Sequence, residues 1–537
     1  LLNFGSLKNI SYVMNRFLYK HNPIILIALV SLLIRVVVYF LSDFTSIDGG
    51  YFKHSYYNAL NNHFLEYFYS STVQSPLITV IDAMLVNLFS YDVILKYKVL
   101  LLFSFVLDVI AIALIYSIII RFVNSYYAIF FISLLSISLI PFEFWKLGLH
   151  YDHYNLFFTS FFLFTLLNYI MDETKFSVYI LSFSSILLAL LFPINIVIVP
   201  VCLALLGLFK TINRNISTSI INVSLIPVVS VMLVIASFSV KNYSLNKDFN
   251  HSSKSGVAMM QVVSRSFSND PVKLREFIVK SNASKMFVWC FDNPTYIESD
   301  LNYLARYSAM CFQEEENNNS GKFPFTIDNM VDAVTKIGSK EQVSSLLYDQ
   351  HIINDKPYLL SGYAPEYSLR WTAIWGAEAR DLYLTAIQEN SLGMLYIIAK
   401  QAAVYSLYGP FFPYEVLWRS EDSHWSELEA LSKFSMASIK IPFQGFIGIA
   451  AIIFGCLIFA SYLLILLNFV TYLFRIVFSR SLNISKYDFF LLILSTVIFL
   501  NLIMYSTLVG GEHYRYFMHS LAYVFIGGVL IFRKLRL

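Results

Sequence analysis

The sequence predicts an all-α polytopic membrane protein, and three observations predict it. The 537 residues are 57% hydrophobic and only 14% charged, whereas a soluble domain carries about 25% charge. Apolar runs approaching the ~20 residues that a membrane-crossing helix needs recur along the chain. Lys and Arg gather in alternate loops between those runs, as the positive-inside rule requires. The net charge of +3 comes with no basic patch of the kind nucleic-acid binding needs, so no nucleic-acid partner is expected.

Residues 1–23 include no small-residue cleavage site, and the apolar run behind them is long enough to span. They therefore read as the approach to a first span, not a signal peptide. Ten runs follow, near 24–42, 97–120, 125–143, 154–171, 176–192, 194–209, 217–240, 444–474, 487–508 and 516–532. The pair meeting at Pro193 is short. With the N-terminus (Lys8, Arg16, Lys20) on the cytoplasmic side, alternate loops carry Arg121, Lys175, Lys210 with Arg214, Arg475 with Arg480 and Lys486, and finally Arg533, Lys534 and Arg536. The opposite short loops carry few cations, so both termini are expected to be cytoplasmic.

The same parity decides Leu77–Leu95. A crossing there would turn every later basic loop to the wrong side. Asp82, Asn87 and Asp92 also give the segment a polar face, so it reads as an interfacial helix in a long first outer loop, 43–96. The chain then divides into a membrane module at 1–240, a mainly helical extracytoplasmic insertion at 241–443, and a final set of spans at 444–537. Within the insertion, Asp270-Pro271 and Thr326–Asp328 look like helix starts, and Trp375–Leu407 has helical periodicity. The Asn-rich stretch Glu314–Ser320 reads as a mobile loop. Cys290 and Cys311 are the two cysteines expected outside the bilayer, and a disulfide between them suits an oxidising compartment. Cys202 and Cys456 fall within spans and read as packing residues.

Residues able to do chemistry gather in the outer loops. Asp43 and Asp48, with Lys53 and His54, stand just past the first span. A carboxylate at the membrane surface can take the proton of an attacking hydroxyl, although loop aspartates also cap helices. The loop from Glu143 to Tyr154 holds Lys146, His150, Asp152 and His153. Its Trp145, Tyr151 and Tyr154 fit an aromatic belt, which leaves the histidines and Asp152 unaccounted for. In Gly510-Gly511-Glu512-His513-Tyr514-Arg515-Tyr516, two glycines free the backbone and Arg515 can clamp a phosphate. Lys96 and Lys98, near the outer end of the second span, suit a lipid phosphate or an anchoring role. Arg35 and Asp108 lie inside spans one and two, where charge is costly and defaults to a paired or functional role. A pair between those two is one arrangement the sequence allows.

Together these features resemble the GT-C superfamily of integral membrane glycosyltransferases. The likeness is to enzymes dependent on polyprenyl-phosphate sugars, of the protein O-mannosyltransferase and lipid A aminoarabinose transferase type. It rests on Asp48-Gly-Gly-Tyr51, Ser75-Pro76-Leu77, the Lys98–Arg121 span, the Pro141–Asn155 loop and Glu512-His-Tyr-Arg515-Tyr516, and covers roughly Ile24–Pro200 plus the late element. Nothing in 241–443 carries it. The chain departs from the pattern at Gly49, where the family often has a second acidic residue, and at its single proline, where the family has two.

The resemblance implies an inverting sugar transfer from a polyprenyl-phosphate donor at the outer face, with Asp48 as general base. Asp152 would assist it, and Tyr51, His54, Lys98, His150, His153, Glu512, Arg515 and Tyr516 would bind substrate. Carboxylate and imidazole at Asp48, Asp152 and His153 suit a divalent Mg, Mn or Zn ion. The acceptor stays open among protein, lipid and glycan. A composition rich in Lys, Asn, Ile and Phe suggests an AT-rich genome, hence a bacterial inner membrane with the site facing the periplasm. Two other readings stay open: an O-antigen ligase or polymerase acting through Arg370, Arg380 or His424, and a lipid-linked-substrate transporter using Arg35 and Asp108.

Overall fold

The computed structural model describes residues 4–41, 76–78, 80, 81, 84, 93–146, 152–171, 174–192, 194–212, 218–246, 254–268, 270–283, 288, 369–411, 443–478, 485–508 and 517–536. Among the described residues there is no strand. The fourteen longer helices are α1 (Phe4–Leu41), α2 (Val93–Ile119), α3 (Ser125–Lys146), α4 (Asp152–Met171), α5 (Lys175–Leu191), α6 (Asn195–Ile212), α7 (Thr218–Asn246), α8 (Lys254–Ser266), α9 (Pro271–Lys280), α10 (Leu369–Glu389), α11 (Ser391–Tyr408), α12 (Gln444–Phe478), α13 (Lys486–Leu508) and α14 (Leu521–Arg536). Short 3-10 turns at Gly409–Phe411 and Phe517–Ser520 follow α11 and precede α14.

Six of these helices are long and apolar enough to cross a membrane. The stretches are Pro23–Leu41, Leu101–Ile119, Tyr154–Met171, Gly445–Arg475, Lys486–Leu508 and Phe517–Lys534. Four shorter apolar helical stretches, Ser125–Pro141, Phe176–Leu191, Asn195–Phe209 and Leu225–Lys241, coincide with the remaining predicted runs. The described residues are almost entirely helical, and their long apolar helices make this a membrane-embedded protein. Two boundaries differ from the sequence expectation. α1 continues unbroken through Pro23 from Phe4, so the approach segment and the first span are one helix. α2 starts at Val93, so Val93–Leu95 belong to it and not to an interfacial helix. Of the rest of that segment, Ile78 is buried in the bundle core and Met84 is exposed, while Asp82, Asn87 and Asp92 lie outside the described residues.

One apolar core runs through the bundle. It takes Ile112 and Ile115 from α2, Leu135 and Leu139 from α3, and Leu163 and Leu166 from α4. Leu188 comes from α5, Ile498 from α13 and Val524 from α14. Outward faces of α1, α7 and α12 present Leu29, Leu33, Leu233, Leu467 and similar side chains to the surroundings. In water that much exposed apolar surface would be a liability; in lipid it is the favourable exterior.

The insertion has its own local logic. Asp270 caps α9, accepting from the amides of Val272 and Lys273, and Pro271 occupies the first turn, where no amide is needed. The Lys273 amide, and then the nearby Lys273 side chain and Val272 amide, hold the Asp270 carboxyl below the usual range. The predicted helix at Trp375–Leu407 is two consecutive helices, α10 and α11. The break falls at Asn390, whose side-chain amide donates to the Ser266 carbonyl at the end of α8. Thr326–Asp328, Glu314–Ser320 and the proposed Cys290–Cys311 bridge lie outside the described residues.

Candidate functional site

Three contacts fix the helix ends around the predicted site. Near the end of α1, Tyr39 meets Phe105 of α2 edge to face, with ring centroids 6.5 Å apart. Phe103, just before it on α2, meets Tyr154 of α4 at 6.3 Å. Between α1 and α3, Arg35 pairs with Glu143. The end of α1, the early turns of α2, the last turns of α3 and the first turn of α4 therefore share one end of the bundle. α4 also packs against the Phe517–Ser520 turn and α14, which brings the approach to the last helix to the same end.

This end holds the backbone of Lys98, five residues before Phe103, and of Asp152 and His153, directly before Tyr154. A helix rises ~1.5 Å per residue, so Lys98 stands about 8 Å beyond Phe103 along the axis. Asp48 lies seven residues past the end of α1, and Glu512, Arg515 and Tyr516 directly precede Phe517. The side chains of Lys98, Asp152 and His153 lie outside the described set. So do Asp48, Tyr51, His54, His150, Glu512, Arg515 and Tyr516 entirely, along with the side chain of Arg370 and all of His424. Among the described residues no group of three His, Cys, Asp or Glu is placed to hold a metal.

Beneath this end lies a buried charge network. Arg35 and Glu143 are both fully buried. Arg35 Nε donates to Glu143 Oε1 at 2.8 Å, and Nη2 donates to the same oxygen at 2.5 Å. Nη1 donates to Ser31 Oγ at 2.6 Å and Ser136 Oγ at 2.9 Å, while Nη2 also reaches the Ser136 carbonyl. Every guanidinium nitrogen is used, as a cation removed from water requires. The carboxylate that Arg35 meets is thus Glu143, not Asp108. Asp108 is itself fully buried in α2. Glu143, grouped by sequence with the outer-loop cluster, belongs to this network inside the bundle.

A second polar cluster, missed by the sequence reading, lies where α11 enters the bundle. Tyr405 and Ser520 share a 2.8 Å hydrogen bond, and Asn501 Nδ2 donates to the same Ser520 hydroxyl at 2.8 Å. Tyr405 stacks on Tyr505 with centroids 5.8 Å apart. The Tyr505 hydroxyl is hydrogen-bonded to His519 Nδ1, and the His519 ring lies 4.3 Å from that of Phe192. Ser406 and Tyr462 of α12 are 3.1 Å apart. Higher on the insertion, Tyr383 donates to the Thr507 carbonyl at 2.7 Å, and burial raises its hydroxyl above the usual tyrosine range. The signal for this cluster was present. Gln401 and Tyr405 continue the apolar stripe of Met394 and Ile397 at helical spacing, and Asn501 interrupts an apolar run. His519 stands three residues beyond the end of the quoted motif.

What this end can do chemically follows from its parts. Among the described residues it offers a buried Arg35–Glu143 support, with helices of the insertion packed against one side of the bundle. No protein-family profile, curated protein or solved structure matches the chain.

Proposed function

We propose that the chain is an inverting membrane glycosyltransferase, moving a sugar from a polyprenyl-phosphate donor to a hydroxyl of a protein, lipid or glycan acceptor. The observation that supports it best is convergence. The helix ends leading into the segments that bear Asp48, Lys98, Asp152 and Arg515 are gathered at one end of the bundle, beside the insertion. A lipid-linked donor presents its reactive phosphate at such a level, since its tail stays among the lipids and its head stands at the surface.

In the proposed reaction the Asp48 carboxylate takes the acceptor hydroxyl proton as that oxygen bonds to the anomeric carbon. The bond from that carbon to the phosphate oxygen breaks on the opposite face, inverting the centre. Polyprenyl phosphate departs as an anion, stabilised by Arg515 and Lys98. Asp152, His150, His153 and Glu512 orient the acceptor, with Tyr51, His54 and Tyr516 lining the site. Asp48, Asp152 and His153 are the residues that would hold a Mg, Mn or Zn ion. Ten spans with both termini cytoplasmic, in a bacterial inner membrane, would turn the site toward the periplasm.

The test is transfer by purified protein from a panel of polyprenyl-phosphate sugars, with and without EDTA. A positioned base contributes ~10²–10⁴-fold, so Asp48→Asn should lose activity on that scale while keeping its melting temperature. Transfer that persists in Asp48→Asn would move the base to Asp152 or Glu512. Movement of a lipid-linked substrate with no new glycosidic bond would favour the transporter reading.

A further inference from the structure

We propose that the end of the bundle opposite the predicted site is a docking surface for an anionic phospholipid, with Lys486 and Arg533 meeting its headgroup phosphate and Arg121 and Arg475 flanking them. The proposal is independent of the glycosyltransferase reading.

The observation is a set of cations that four separate segments bring to the end where α2, α4, α12 and α14 finish and α13 begins. Arg121, in the turn after α2, donates to Asn168 Oδ1 of α4 at 2.6 Å and lies 5.7 Å from the Phe164 ring centroid. About one turn further along α4, the Met171 carbonyl accepts from Lys486 Nζ at 3.2 Å. The next residue of α13, Tyr487, has the Arg533 guanidinium of α14 5.5 Å from its ring centroid and the Phe122 ring at 5.5 Å. Asp488 follows, accepting from Lys534 Nζ at 2.9 Å and from the Tyr472 hydroxyl of α12 at 2.6 Å. Arg475 stands one turn beyond Tyr472. Arg121, Arg475, Lys486 and Lys534 are exposed, and Arg533 is half-buried.

The charge balance calls for an anion. Among the described residues of this end, the five cations stand against one carboxylate, Asp488. That carboxylate is already taken up by Lys534, Tyr472 and Ser485. Lys486 and Arg533 are held by a carbonyl and an aromatic face, which orient a cation without cancelling its charge. The sequence of the connecting segments keeps the excess, with Lys175, Lys210, Arg214 and Arg480 against Asp172 and Glu173.

The apolar surroundings select a lipid over a soluble anion. Tyr126, Tyr127, Phe474 and Phe532 are exposed at this same end, and the Tyr127 and Phe532 rings meet at 6.4 Å, beside Arg533. Exposed aromatic side chains of this kind sit at headgroup level. Val470 and Leu473, just before Arg475 on α12, are also exposed and offer acyl chains an apolar wall. Basic clusters between membrane helices hold anionic headgroups in this way.

The experiment measures the melting temperature of the purified full chain in neutral-detergent micelles carrying phosphatidylglycerol or, as the zwitterionic control, phosphatidylcholine. Phosphatidylglycerol should stabilise the wild type more, and about 0.5 M salt should shrink the difference. Each cation near an anionic headgroup contributes about fivefold in affinity. Lys486→Gln and Arg533→Gln should therefore each raise the phosphatidylglycerol content needed for half the shift about fivefold, with the double variant losing most of the shift. Melting in phosphatidylcholine reports whether each variant folds. The charge-conserving pair Lys486→Arg with Arg533→Lys should keep the shift, as should Lys400→Gln on the distant α11. Equal stabilisation by the two lipids would overturn the proposal, as would a shift that survives the double glutamine variant. Loss of the shift in the charge-conserving pair or in Lys400→Gln would do the same. Inorganic phosphate that reproduces the full shift would overturn the assignment to a lipid.

Discussion

A guanidinium shut away from water depends wholly on its neighbours, and Arg35 has spent every nitrogen on Glu143, Ser31 and Ser136. Burying such a pair gains little against an apolar replacement, whereas breaking it leaves one charge stranded. The two kinds of variant should therefore differ sharply. Arg35→Met alone should cost about 3–5 kcal/mol of stability, since the Glu143 carboxylate would lose its cation. Arg35→Met combined with Glu143→Leu should recover most of that loss. Urea or thermal unfolding in detergent would show the contrast, and equal losses in single and double variants would remove the pair from the stability argument. The sequence marked Arg35 as an intramembrane charge, with Asp108 as the partner it allowed, and placed Glu143 in the outer-loop cluster. It could not pair Arg35 with Glu143, because the choice between Glu143 and Asp108 depends on helix rotation, which an apolar run on every side does not specify.

Whole helices were easier to anticipate than their faces. Runs such as 154–171 and 487–508 coincide with α4 and α13 because, in lipid, a long apolar run can satisfy its amides only by coiling. Where propensity and burial disagreed, boundaries moved. Pro23 lies inside α1, and Asn390 splits the expected insertion helix in two. Close packing between helices was still less visible. A methyl built on Gly528 of α14 would lie 2.1 Å from Ser461 Oγ and 2.4 Å from Ser461 Cβ of α12. The clash reaches the root of the side chain, so rotation cannot relieve it and the helices must part. A methyl on Gly207 of α6 would meet nothing within 4 Å. Gly528→Ala should then destabilise the protein by about 1–3 kcal/mol through overpacking. Gly207→Ala should be neutral or stabilising by about 0.5–1 kcal/mol, the usual gain from removing a helix-interior glycine. Melting temperatures that move alike for the two would refute small-residue packing between α12 and α14.

At the scale of the molecule, charge parity and hydrophobic length make separate statements about topology, and both depend on Leu77–Leu95. Six helices have full crossing length and four are shorter. If all ten cross and Leu77–Leu95 lies along the surface, the two termini share a side. If Leu77–Leu95 also crosses, the count becomes odd and the termini must face opposite sides. Cys202 is buried and Cys456 lies within α12, so a variant free of native cysteines is a reasonable background for single-cysteine reporters. One cysteine added at Asn3, one after Leu537 and one at Asn318 in the insertion should sort cleanly with a membrane-impermeant maleimide on intact cells. The Asn318 site should label from outside, and both terminal sites only after permeabilisation. Labelling of one terminus alone from outside would make Leu77–Leu95 a span. It would also move the later loops, with Asp152, Arg515 and the insertion, to the other side from Asp48 and so dismantle the proposed site.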